Sequence, residues 1–144
     1  MSGIAITKVY CYSETFDADM TNDPALVAAK NQIFKDFRAY LLSGGHMSEQ
    51  PIGRFGRDEL YDHPNTSSFV KRACLRHVHI VPISVIDRVR RKYDAKSDIH
   101  LVYCIDDEKG HACAIALIKP GHELARDSQF LANLAAIAEK FYDR

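Results

Sequence analysis

Apolar and polar positions along the chain change period several times, and each change marks an element. At the N-terminus Ile4, Ile6 and Lys8 alternate with Ala5, Thr7 and Val9, and Tyr10-Cys11-Tyr12 follow. Branched and aromatic side chains at a two-residue period predict a strand. The acidic stretch from Ser13 to Asp23 reads as a loop or one short turn. Asp23-Pro24 then offers a cap acceptor followed by the imino acid that the first helical position tolerates. Leu26, Ile33, Phe34, Phe37, Tyr40 and Leu41 recur at three- and four-residue steps, so a helix with one apolar stripe runs to the stop at Gly44-Gly45.

Residues 43–65 are rich in glycine and proline and predict a long loop carrying Phe55-Gly56-Arg57-Asp58-Glu59-Leu60-Tyr61-Asp62. Leu75, His77, His79 and Val81 alternate with Arg76, Val78 and Ile80, a strand that Pro82 ends. Ile83 to Tyr93 fits a short basic helix or an irregular connector. Ile99–Ile105 and His111–Lys119 are strands joined by a hairpin turn, Asp106 to Gly110, in which Gly110 suits a positive φ. The second of them is apolar on both faces, as a central strand is. Pro120-Gly121 ends it, and a last helix spans about Glu123 to Tyr142, with Leu124, Phe130 or Leu131, Leu134, Ile137, Ala138 and Phe141 on its buried stripe. The order predicts a single α+β domain over 1–144, an antiparallel sheet packed against helices. Residues 1–50 hold the N-terminal strand and helix; 51–144 hold the rest of the sheet, the candidate site and the C-terminal helix. No internal repeat interrupts it.

Composition narrows the class. An apolar fraction of 47% and a charged fraction of 26% are those of a soluble globular chain. No apolar run approaches the roughly 18 residues that span a bilayer, and residues 1–10 lack a basic start followed by an apolar stretch, so a cytoplasmic location is expected and no membrane partner. Cys11, Cys74, Cys104 and Cys113 form no CxxC pair and read as buried thiols on strands. Net charge is zero, yet residues 51–100 carry an excess of basic side chains while both flanks are slightly acidic. Arg88-Val89-Arg90-Arg91-Lys92 is therefore either a local phosphate-binding patch or a solvated helix face.

Histidine is the conspicuous reactive type: His46, His63, His77, His79, His100, His111 and His122. Strand alternation places His77 and His79 on one face; His100 lies near the start of a second strand and His122 just beyond a third. If those strands are neighbours, the rings converge. Singly, each can be a structural histidine bonded to a backbone carbonyl. A zinc site is compatible with HxH plus a distant His, but no HExxH or CxxC supports it. The third reading is acid–base chemistry, because imidazole takes and gives protons near pH ~6.5. Arg126 falls four residues after His122, and Asp127 can orient a neighbour or merely favour a helix N-terminus. Arg57, Asp58, Tyr61 and Asp62 add polar groups from the FGRDELYD stretch.

Taken together, FGRDELYD (55–62), RHVHIVP (76–82), the block DIHLVYC…AIALIKPGHELARD (98–127) and AIAEKF (136–141) resemble the YafO family of toxins of type II toxin–antitoxin systems. The resemblance covers about residues 50–142. That family is similar to RelE-like toxins, so it implies a RelE-like fold with a C-terminal helix beside an antiparallel sheet. It also implies an mRNA endoribonuclease (an mRNA interferase) acting on the ribosome, a cognate antitoxin protein as partner, and no cofactor or metal. Such cleavage removes a proton from a 2′-hydroxyl, gives one to the 5′-oxygen and stabilises a phosphorane, which side chains alone can do. Carried over onto this chain, the resemblance makes His79, His100, Tyr103, His122, Arg126 and Asp127 candidate catalytic residues. His100 or His122 would serve as base or acid. Arg57 and Arg126 would hold the phosphate, with Arg88 and Arg91 as further contacts, and Tyr61 or Tyr103 would stack on a base or donate a proton. Relatives of the RelE type are often strongly basic; a neutral chain fits substrate presented by the ribosome better than capture of free RNA. A non-catalytic ribosome- or RNA-binding translation inhibitor is the alternative, and a zinc hydrolase a third.

Overall fold

The structure is a computed structural model that describes residues 5–12, 16 and 23–144. Ile4 and most of the acidic stretch 13–22 lie outside the described residues. Among the described residues five strands form one sheet: β1 (Lys8–Cys11), β2 (Phe55–Leu60), β3 (Arg76–Ile80), β4 (His100–Asp106) and β5 (His111–Ile118), in the order β1-β5-β4-β3-β2. β2 through β5 pair antiparallel, and β1 adds to β5 in parallel. The sheet is thus the expected α+β arrangement, made mixed by one edge strand. Gly110 closes the β4–β5 hairpin at φ 69°, and every residue of β5 after His111 is buried.

Helices cover both faces. Helix α1 (Pro24–Leu42) starts where Asp23 accepts the Leu26 N–H at 3.1 Å and ends before Gly44, whose φ of 78° suits glycine. Its buried stripe, Leu26, Ile33, Phe37, Tyr40 and Leu41, packs with Phe55, Val78, Leu101, Tyr103 and Leu117 on one face of the sheet. Helices α2 (Ser68–Ala73) and α5 (Ser128–Tyr142) close the other face, against Val102, Cys104, Cys113, Ile115 and Ile118. Single turns α3 (Ile83–Ile86) and α4 (Gly121–Leu124) lie between.

Several expectations are corrected. The FGRDELYD stretch is an edge strand through Leu60 rather than a loop: Gly56 and its charged neighbours weaken β propensity, but pairing with β3 overrides it. A Cβ on Gly56 would collide with the carbonyl of Ala95, so only glycine lets that backbone in. Helix α2, capped by Ser67, is too short to show a period. The last helix begins at Ser128, with Asp127 accepting the Phe130 N–H at 3.0 Å, and is separated from the α4 turn. The basic run is no helix face; it leads into a 3-10 turn at Lys92–Asp94. Of the cysteines, Cys104 and Cys113 are buried strand thiols, while Cys11 and Cys74 are exposed.

On the α1 face a carboxylate is buried. The Asp58 side chain has 0% exposure. It accepts the Tyr40 hydroxyl at 2.7 Å and the Tyr103 hydroxyl at 2.6 Å, and pairs with Arg76 Nη2 at 3.2 Å. Arg76 Nε donates to the Tyr103 oxygen at 3.0 Å. Lys92 donates to Tyr40 and to the Gly45 carbonyl, with its nitrogen 3.9 Å from Asp58. Burial lowers the Lys92 ammonium to about 8 against the pull of Asp58. Burial, reinforced by the Asp58 charge, raises the Tyr40 and Tyr103 hydroxyls, so both remain donors. Removing the carboxylate strands two cations. Asp58→Ala is therefore expected to lower stability by about 3–5 kcal/mol in urea unfolding; a loss under 1 kcal/mol would show that water replaces the carboxylate.

Candidate active site: a histidine-lined cleft

Strand alternation sends His77 and His79 to the sheet face opposite Asp58, and antiparallel register sets His79 directly across from His100. The His79 and His100 ring centroids are 4.1 Å apart, His77 and His100 5.1 Å, and His77 and His79 5.6 Å. Turn α4 brings His122 to 5.1 Å from His100 and 5.8 Å from His79. These rings line a cleft of about 620 Å³ that Arg57, Tyr61 and Arg126 also border. The convergence expected from the strand pattern is present.

Each ring has a distinct setting. Tyr61 stacks on His77 at 4.2 Å and 13°. Residues just before β4 hold the others. The Ser97 N–H donates to His79 Nδ1 at 2.9 Å, and His100 Nε2 bonds the Ser97 carbonyl at 3.0 Å. Those partners put the proton of neutral His79 on Nε2 and that of His100 on Nε2. Asp98 Oδ1 lies 3.0 Å from both the backbone nitrogen and Nδ1 of His122, which fixes the His122 ring and turns Nε2 away from the carboxylate. These bonds hold the Asp98 carboxyl below the usual carboxylate range. Among the described residues three buried atoms around the cleft find no partner: His77 Nδ1, His100 Nδ1 and the Tyr61 hydroxyl.

Electrostatics separates the rings. Burial, helped by His100 and Arg76, lowers His77 to about 3. Burial, with His100, His77 and His122 adding, lowers His79 to about 2. Burial lowers His100 to about 4. All three rings are neutral at physiological pH. His122, bound to a carboxylate, is the ring of the four that is exposed to solvent.

The cationic groups divide. Arg57 lies 3.7 Å over the Tyr93 ring and donates to the Tyr93 carbonyl at 2.8 Å, which aims it along the rim. Arg126 lines the cleft from the link between α4 and α5. Other candidates lie elsewhere. Tyr103 faces the opposite side of the sheet, bonded to Asp58. Asp127 caps α5. Arg88 bonds the Ser84 carbonyl, and Arg91 pairs with Asp94 at 3.0 Å; both are exposed outside the cleft. Sequence reasoning missed Asp98 and Ser97 because it looked for a carboxylate partner near His122 in the chain, at Asp127. The partner comes from 24 residues upstream; the only signal was an acidic residue two positions before a strand histidine.

A small α+β domain with neutral imidazoles, a carboxylate-held imidazole and two guanidinium groups in one cleft has the makings of an anion-binding, proton-transferring protein. The family described as "Toxin YafO, type II toxin-antitoxin system" matches residues 34–143, which include every cleft residue. The chain belongs to that family and is a toxin of a type II toxin–antitoxin system, whose partner is an antitoxin. No curated protein and no solved structure matches it. Among the described residues no helix is long and apolar enough to cross a membrane.

Two outcomes follow. The unfolded chain protonates its histidines near pH ~6.5, and the folded chain resists until well below that. The stabilising contribution of His77, His79 and His100 is thus complete above that pH and lost as pH falls. Between pH 7 and 5 metal-free protein is expected to lose roughly 2 kcal/mol per ring, read as a falling urea midpoint; a midpoint that rises on acidification would contradict it. A Cβ at Gly121 would come within 2.5–2.7 Å of the His100 ring. Gly121→Ala should displace that ring, costing about 1–3 kcal/mol, and shift the His100 ring resonances more than those of His111.

Proposed function

We propose that this toxin is a ribosome-dependent mRNA endoribonuclease whose cleavage chemistry is carried by side chains of the histidine-lined cleft. The observation that carries the reading is the Asp98–His122 pair at the mouth of a cleft that also holds Arg57 and Arg126. The Asp98 carboxylate orients the His122 ring and leaves Nε2 to exchange a proton with the 2′-hydroxyl or the leaving 5′-oxygen. Arg126 and Arg57 face the charge that builds on the phosphorane oxygens. His100, whose Nδ1 lone pair is free, is a second proton acceptor behind His122, with the His79 ring packed beside it. Tyr61, stacked face to face on His77, backs that ring in the cleft wall. Arg88 and Arg91, exposed outside the cleft, contact ribosomal RNA phosphates in this reading. The neutral net charge supports dependence on the ribosome to present the strand.

The test is a reconstituted translation reaction with defined mRNA, in which new 5′ ends are mapped by primer extension. Wild-type protein should create them with or without EDTA. His122→Ala should lower the cleavage rate by about 10²–10⁴-fold and Arg126→Ala by about 10²–10³-fold, with unfolding midpoints close to wild type. Translation arrest without new 5′ ends would reject cleavage in favour of a blocking RNA-binding module.

A further inference from the structure

The rings of His77, His79 and His100 form a second constellation within the cleft, different from the Asp98–His122 pair. One nitrogen of each lies within 4.8 Å of one nitrogen of each of the others. His79 and His100 are 2% and 1% exposed. Two of the rings present a buried nitrogen with nothing to bind, Nδ1 of His77 and Nδ1 of His100. A buried polar atom without a partner costs stability, and few are tolerated without a use. His100 has the support a ligand histidine commonly has: its other nitrogen donates to a backbone carbonyl, that of Ser97.

We infer that His77, His79 and His100 form a site for one borderline divalent transition-metal ion, of which zinc is the type. Three imidazoles and no thiolate or carboxylate suit zinc, nickel or copper and not magnesium or calcium. Ring shifts of about an ångström bring the nitrogens to the spacing that Zn–N bonds of about 2.0–2.1 Å require. His77 and His100 ligate through Nδ1. His79 needs one rearrangement, because its Nδ1 accepts the Ser97 N–H at 2.9 Å. Ligation through Nε2 moves the ring proton from Nε2 to Nδ1 and breaks that bond; the proton is relocated through solvent and none is lost. The fourth position opens toward the cleft and takes water.

The site carries a regulatory consequence that rests on the proposed cleavage reaction: an ion on these nitrogens fills the space behind His122 and ties up the free Nδ1 acceptor of His100, so the metal-loaded toxin is inhibited. Binding itself does not depend on that reading.

The experiment uses untagged full-length chain stripped with chelator. Calorimetric titration with Zn²⁺ should give one ion per chain, Mg²⁺ should give no heat, and Co²⁺ should develop the intense visible bands of a four-coordinate ion. His79→Ala and His100→Ala should each weaken Zn²⁺ binding by at least about tenfold, while His122→Ala retains it. Because buried substitutions can disturb folding, the wild-type protein supplies a second measurement. One equivalent of Zn²⁺ should shift the ring nitrogens of His77, His79 and His100 and the Ser97 amide in ¹⁵N spectra, and leave His63 and His111 in place. Absence of one-to-one Zn²⁺ binding, or shifts confined to His63, His111 and His122, overturns the site. Tight Zn²⁺ binding with undiminished mRNA cleavage overturns the inhibition alone. Absence of cleavage with or without Zn²⁺ overturns the enzymatic reading and leaves the metal site standing.

Discussion

The Asp58 carboxylate sits where water does not reach, and the rest of the structure is arranged around keeping it satisfied. Its acceptors are filled by Tyr40 from α1, Tyr103 from β4 and Arg76 from β3, with Lys92 close behind. A buried charge pair of this sort contributes little net stability over an apolar replacement, but it tolerates no slippage. If β2 moved one residue against β3, Asp58 would leave the α1 face and two cations would lose their counter-charge. The network therefore fixes the registers of β2, β3 and β4 more narrowly than apolar packing does.

Those registers also determine what appears on the other face. Strand side chains alternate, so fixing Arg76 and Tyr103 toward α1 fixes His77, His79 and His100 away from it. The charged network on one side and the histidine cleft on the other are two consequences of one alignment. Gly121 completes it by letting turn α4 close over the His100 ring, which places His122 against Asp98.

The cleft has a division of labour set by burial. His77, His79 and His100 are kept neutral by desolvation. His122 is exposed and held by a carboxylate, suited to exchange protons with something that enters.

The sequence by itself determined the elements whose cause is local. The α1 stripe, the cap at Asp23, the β4–β5 hairpin with Gly110 and the shared face of His77 and His79 follow from periodicity and backbone preference, which neighbours in the chain decide. The family likeness, too, was legible in the order of its motifs. Strand β2 was not, because a segment of glycine and charged residues becomes a strand only when β3 pairs with it. Nor were the opposite placements of Tyr103 and His100, the burial of Asp58 and Lys92, or the choice of Asp98 over Asp127 as the partner of His122. Each of these depends on which distant segment lies across the sheet, and side chains brought together over tens of residues leave no period in the chain to read.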